Sequence, residues 1–210
     1  MRRIGLLGGA FNPPHAGHLR LAELALEHLG LDGVRFVPTA VSPHKPTVGP
    51  EGDVRLALLR QALEATGRPF VADDQELRRG GVSYTVDTLE RLADEEPDVA
   101  WIWLLGTDQL AGLPAWRRVD RILDLAALGV ALRPGWPMVL PPGLEARLES
   151  PWSGRSGVLV PLPGTDLAIA SSDLRRALAS GCSPEGLPIQ VRDAIRRESL
   201  YLGSSIQELE

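Results

Sequence analysis

Six short apolar runs punctuate the chain, and most show no alternation with polar residues: Ile4–Leu7, Val34–Val37, Phe70–Ala72, Ala100–Leu105, Leu128–Leu132 and Val158–Val160. Runs this short and this uniformly apolar suit strands covered on both faces, as in a parallel sheet. The segments between them carry a helical period instead. Leu19, Ala22, Leu26 and Leu29 recur at helical spacing, with Gly30 placed to end that helix. Asp53 is placed to N-cap a helix over Val54–Thr66, with Gly67 as its stop. Thr85–Glu95, Arg118–Leu125, Asp173–Ala179 and Pro188–Glu198 also read as helices. Strand and helix alternating in this order predict βαβ units and an α/β fold, a doubly wound, Rossmann-like parallel sheet flanked by helices. In such sheets ligands bind beyond the carboxyl ends of the strands, near the point where strand order reverses. Loops that directly follow strands are therefore where chemistry is expected.

A chain of 210 residues supports one well-buried core, and a single domain over residues 1–210 is expected. Pro134–Gly157 is rich in proline and glycine and reads as an irregular excursion; a helical segment from about residue 171 closes the chain. The net charge of -5 argues against a broad phosphate-tracking surface, so nucleic acid is not an expected partner, while a small anionic ligand stays open. The single cysteine, Cys182, makes neither an internal disulfide nor a zinc site, and a reduced cytoplasmic compartment fits. The apolar run after Arg2-Arg3 breaks at Gly8-Gly9 and Pro13-Pro14, too early for a secretory core. No stretch approaches the ~18 apolar residues a membrane span needs. Oligomeric state is not legible, and a homo-oligomer is compatible.

After the first run comes Gly8-Gly9-Ala10-Phe11-Asn12-Pro13-Pro14-His15-Ala16-Gly17-His18, and then helix. Neither G-x-G-x-x-G nor G-x-x-x-x-G-K-[ST] is present in this loop. Two glycines still let the backbone approach a ligand, and a helix start offers N–H groups and a positive dipole end. His15 and His18, three apart, can place their rings on one face, with Gly17 leaving room for a phosphate. A plain strand–helix turn with two exposed histidines is the alternative; a two-histidine metal site lacks a nearby acidic or cysteine partner.

Near the other end, Leu167–Ala170 runs into Ser171-Ser172-Asp173-Leu174-Arg175-Arg176 at a predicted helix start. Two hydroxyls with backbone N–H groups there form an anion site, and Arg175 one turn in can reach the same anion. An ordinary Ser/Asp cap with exposed arginines is the competing reading. Between the two ends, Ser42-Pro43-His44-Lys45-Pro46 follows the second strand, and Gly81–Leu89, with Ser83-Tyr84-Thr85, opens a helix. Gly106-Thr107-Asp108-Gln109 follows the fourth strand, Pro114-Ala115-Trp116 comes soon after, and Arg133-Pro134-Gly135 follows the fifth. Trp116 can stack on a pyridine ring or fill the core. Lys45 suits a phosphate or solvent. Asp108 can accept ribose or amide hydrogen bonds or cap a helix, and Arg133 can frame a ligand or neutralise a strand end.

His15-Ala16-Gly17-His18 resembles the (H/T)-x-G-H mark of the nucleotidylyltransferase superfamily, and Ile169–Arg175 resembles its I-S-S-T-x-[IL]-R segment, with Asp173 in place of Thr. Many relatives carry Asp where this chain has Asn12, which keeps hydrogen-bonding capacity and drops the charge. The ordered set of central loops is similar to the bacterial nicotinate-nucleotide adenylyltransferase family, from Gly5 to about Tyr201. The resemblance implies ATP and nicotinate mononucleotide as substrates, with Mg²⁺ carried mainly by the ATP phosphates. It implies catalytic roles for His15, His18, Lys45 and Arg175. ATP would be held by Gly8, Gly9, Ala10, Phe11, His15, His18, Gly106, Asp108, Ser171, Ser172 and Arg175. The mononucleotide would be held by Gly9, Lys45, Tyr84, Thr85, Trp116 and Arg133. Rivals are another acceptor within the superfamily, such as phosphopantetheine or nicotinamide mononucleotide, and a non-catalytic nucleotide-binding regulator.

Overall fold

The computed structural model describes residues 1–43 and 48–202. In chain order they form β1 (Arg2–Gly9), α1 (Ala16–Leu29), β2 (Gly33–Pro38), α2 (Gly52–Glu64), β3 (Phe70–Ala72), α3 (Gln75–Arg79) and α4 (Thr85–Glu95). Then follow β4 (Val99–Gly106), α5 (Thr107–Leu110), α6 (Val119–Leu125), β5 (Ala127–Ala131), β6 (Leu159–Leu162), α7 (Ser171–Ala179) and α8 (Ile189–Arg197). The strands make one parallel sheet in the order β3-β2-β1-β4-β5-β6. Strand order reverses between β1 and β4, the switch point of a doubly wound sheet. All six expected strands are present. β4 is buried along its first seven residues and β5 throughout, which is why neither shows polar alternation.

The helices differ from expectation mainly at their ends. α4 begins and ends where its periodicity says. α2 starts at Gly52, not Val54; its cap residue is Glu51 and Asp53 lies inside the first turn, where its charge still complements the helix dipole. That helix stops at Glu64 before Gly67, whose N–H turns back to the Glu64 carbonyl. Gly30, at φ +60°, does end α1. Helices α3 and α5 are five and four residues long, too short to leave a periodic signal.

Two compact units can be distinguished, each assembled from separated stretches. The first holds Met1–Gly8, Arg20–Arg35 and Tyr84–Ala168; the second holds Gly9–Leu19, Phe36–Ser83 and the chain from Ile169 onward. In the second, α2, α7 and α8 share a core of Leu58, Ala62, Leu178, Val191, Ala194 and Ile195 that also takes in Tyr201. In the first, β1 runs beside β4 with Leu6 opposite Trp103. The 134–157 stretch is anchored despite its composition. Trp152 is buried and donates its indole N–H to the Arg155 carbonyl at 2.9 Å, and Glu149 accepts the Ser153 N–H at 2.7 Å.

Gly8 owes its identity to the same packing. A Cβ there would lie 2.4 Å from Cζ2 of the buried Trp103 ring. Gly8→Ala is expected to cost about 1–3 kcal/mol by overpacking. Combining it with Trp103→Phe, which frees that space, should cost less than the sum of the two single changes in guanidinium unfolding.

Candidate active site

The loop from Gly9 to Pro14 leaves β1 with Phe11 in a left-handed conformation, φ +46°, which a non-glycine residue holds only when its surroundings over-determine it. Here the Phe11 ring is buried, edge-on to the His18 imidazole at 4.9 Å and tilted against Phe36 at 5.7 Å. The Phe11 side chain is therefore part of the core. The carbonyls of the loop are held from behind. Arg55, a fully buried arginine of α2, donates Nη1 to the Ala10 carbonyl at 2.5 Å and Nη2 to the Thr39 carbonyl at 2.8 Å. Burial pushes the Arg55 pKa down, opposed by Tyr201 and Glu51.

His15 and His18 stack at a centroid distance of 3.7 Å with 26° between planes. His15 is buried and not the solvent-exposed turn residue of the simpler alternative. The His15 backbone N–H donates to His18 Nδ1 at 3.2 Å, so Nδ1 acts as an acceptor and the His18 proton sits on Nε2. Gly17 has a packing role beside the expected one. A Cβ there would come within 3.1 Å of His15 Cε1 and Nδ1, so the glycine makes room for the imidazole. One N–H of the helix start is already committed, Ala16 donating to the Gly186 carbonyl at 2.8 Å.

Asn12 joins this loop to three other segments. Its Nδ2 donates to the Val48 carbonyl, its Oδ1 accepts from the Tyr201 hydroxyl at 2.7 Å, and its carbonyl accepts from Arg175 Nη1 at 2.9 Å. A carboxylate could accept from Tyr201 but would have no proton for Val48, which is the physical reason for an amide here. Arg175 is thus drawn to the histidine loop, and the Ser171 hydroxyl, in the first turn of α7, reaches the Pro13 carbonyl at a long 3.4 Å. Ser172 is half-buried beside Ser171, whereas Asp173 is exposed and ion-paired with Arg176. Burial lowers the Arg175 pKa, and Tyr201 opposes that effect. Tyr201 itself is pushed well above the ordinary tyrosine value, first by burial, with Arg175 and Arg55 opposing.

In the first unit, the Gly106 backbone caps α5, and a Cβ there would lie 2.4 Å from Asp108 Oδ1, so the glycine is what lets that carboxylate fold back. Asp108 pairs with Arg133 Nη1 at 2.5 Å. The buried Thr107 hydroxyl accepts the Arg133 N–H at 3.1 Å and donates to the Trp136 carbonyl at 2.8 Å. Tyr84 precedes α4 as its cap residue and Thr85 is its first residue, both half-buried. Trp116 is half-buried after the one-turn 3₁₀ segment Leu113–Ala115, so its indole is not a core group. The Arg117 guanidinium lies 4.6 Å from the Tyr84 ring. No group of three or more His, Cys, Asp or Glu among the described residues could hold a metal ion, and none of their helices is long and apolar enough to cross a membrane.

The cytidylyltransferase-like family matches residues 6–177. A probable nicotinate-nucleotide adenylyltransferase of Aeromonas salmonicida (strain A449) is 40% identical, with 94% of this chain and 96% of the relative covered. One from Bordetella petrii is also 40% identical, with 96% of this chain and all 100% of the relative covered. The chain belongs to the nicotinate-nucleotide adenylyltransferase family. The fold agrees with the Plasmodium falciparum nicotinic acid mononucleotide adenylyltransferase complexed with NaAD, at TM-score 0.77 and 15% identity, covering 96% of this chain and 98% of that one.

Of the family's expected residues, Gly9, Ala10, Phe11, His15, His18, Ser171, Ser172 and Arg175 lie in the second unit, where hydrogen bonds tie Arg175 and Ser171 to the histidine loop. Gly8, Tyr84, Thr85, Gly106, Asp108, Trp116 and Arg133 lie in the first, where Asp108 and Arg133 are directly paired. Lys45 lies outside the described residues. Motif reading missed Arg55, Tyr201 and Thr107, which support the loops from behind. Only an arginine inside the apolar face of α2 could have signalled one of them.

The Tyr201 phenol makes stability depend on pH in the alkaline range. Its pKa is raised in the fold, so above the ordinary value of 10.0 the unfolded chain loses this proton first and stability falls. Tyr201→Phe is expected to lose roughly 1–3 kcal/mol at neutral pH, because the buried Asn12 oxygen loses its donor. The same variant should show a shallower decline of stability above pH ~10 than the wild type, in urea titrations repeated across alkaline pH.

Proposed function

We propose that this protein transfers the adenylyl group of ATP to nicotinate mononucleotide, giving deamido-NAD and pyrophosphate. The observation that carries the reading is the stacked His15–His18 pair, with the His18 proton directed to Nε2 and Arg175 bound to the same loop. The 5′-phosphate oxygen of the acceptor attacks the α-phosphorus of ATP in line. The new O–P bond forms as the bond to the β-phosphate oxygen breaks, and pyrophosphate leaves with that electron pair. A phosphate monoester is largely ionised near neutral pH, its second pKa being about 6, so no strong base is required. The rate then depends on alignment and on donors placed where charge develops.

In this assignment His18 Nε2–H donates to the α-phosphate and His15 orients it by stacking. Ser171, Ser172 and the Arg175 fork take the β/γ end. ATP would enter as its Mg²⁺ complex, the ion carried mainly by the phosphates. Backbone groups of Gly8, Gly9, Ala10 and Phe11 line the phosphate path, while Gly106 and Asp108 serve the adenosine. Tyr84, Thr85 and Trp116 take the pyridine ring, with Lys45 as a phosphate cation and Arg133 acting through Asp108.

His18→Ala is expected to lower kcat by about 10²–10³-fold, the loss typical of one transition-state donor, with an unchanged unfolding midpoint. Turnover near that of the wild type would remove His18 from the reaction. The acceptor is tested by pyrophosphate release with nicotinate mononucleotide, nicotinamide mononucleotide and phosphopantetheine supplied in turn. The nicotinate nucleotide should give the highest kcat/KM, and preference for another acceptor would overturn the substrate assignment.

A further inference from the structure

Trp116 leads into a strained turn. Arg118, two residues on, is the cap residue of α6 and sits in the left-handed region at φ +56°, ψ +52°. A branchless glycine would adopt that conformation without strain; an arginine persists there only if something holds it. What holds it is α4. Tyr84, Asp87 and Glu90 recur every three residues along one face of that helix and its cap, a spacing that aligns their side chains. The Arg117 guanidinium lies over the Tyr84 ring at 4.6 Å and 4.0 Å from the Asp87 carboxylate. Glu90 then takes Arg118 in a two-pronged grip, Nη1 to Oε2 at 3.0 Å and Nη2 to Oε1 at 2.9 Å, and accepts Arg121 Nε at 3.0 Å. The two guanidinium groups hold the Glu90 carboxyl below its usual range.

A lone exposed ion pair contributes little, but a bidentate pair within a network is the exception. The grip also has a location that matters: it fastens the turn just after Trp116 to the helix whose first residue is Thr85. We propose that Glu90 is a positioning residue, holding through Arg118 the backbone turn that presents Trp116 and thereby setting affinity for the aromatic base of the acceptor. The inference rests on the assignment of Trp116 and Thr85 to the pyridine ring.

Steady-state kinetics of the full chain with ATP and nicotinate mononucleotide test it. Glu90→Gln is expected to raise KM for the mononucleotide by about five-fold, the scale of one networked pair, and to leave KM for ATP and the melting temperature unchanged. Adding Arg118→Gly, which accepts the left-handed turn without a clamp, should bring the acceptor KM back toward the wild-type value. An unchanged acceptor KM in Glu90→Gln overturns the proposal, as does a parallel rise in both KM values or a failure of Arg118→Gly to restore the lost affinity. Absence of transfer to nicotinate mononucleotide by the wild type is a separate result; it overturns the function assigned above, and the role of Glu90 falls with it.

Discussion

The carboxamide of Asn12 is the constraint on which the second unit's chemistry depends. One buried side chain donates to Val48 and accepts from Tyr201, while its own carbonyl receives Arg175. Each partner comes from a different stretch of sequence, so Asn12, through its amide and its main-chain carbonyl, ties separate segments to the histidine loop. Buried polar groups raise stability and specificity only when their hydrogen bonds are satisfied, and this one uses both ends of its dipole. Arg55 supplies the second support, turning two loop carbonyls toward α2. With those carbonyls turned inward, the strained Phe11 backbone is held by the contacts of its ring.

The first unit reaches a comparable end by other means. Gly106 makes space, Asp108 fills it, and Arg133 closes the pair, so the loop after β4 and the segment after β5 are coupled through one ion pair and the Thr107 hydroxyl. The Trp116 segment is likewise governed by its backbone, with the left-handed Arg118 tied to α4 by charge. In both units, long cations brace the loops from behind, Arg55 in the second and Arg118 and Arg133 in the first. Such bracing is what a reaction driven by alignment requires, since a misplaced donor loses most of its value to the transition state.

Much of this was legible in the chain. Uniformly apolar runs reported six strands because a parallel sheet covered on both faces leaves no polar alternation, and α4 could be bounded to the residue. His15-Ala16-Gly17-His18 and Ser171–Arg175 were recognisable because each is a short contiguous motif at a helix start. What escaped was short or non-local. Helices α3 and α5 hold too few residues for a period, and Asp53 matched a cap rule that the Glu51 backbone satisfied instead.

Strand–helix alternation, the H-x-G-H and Ser171–Arg175 motifs and the family they point to could be read from the chain alone, since each is written in neighbouring residues. The packing reason for Gly17, the need for an amide at residue 12 and the service of Arg55 and Tyr201 to the first loop emerge in the folded chain. The reason is distance along the chain. Asn12 and Tyr201 are separated by 189 residues, and no local pattern can announce a hydrogen bond that exists only once the backbone has brought its two ends together.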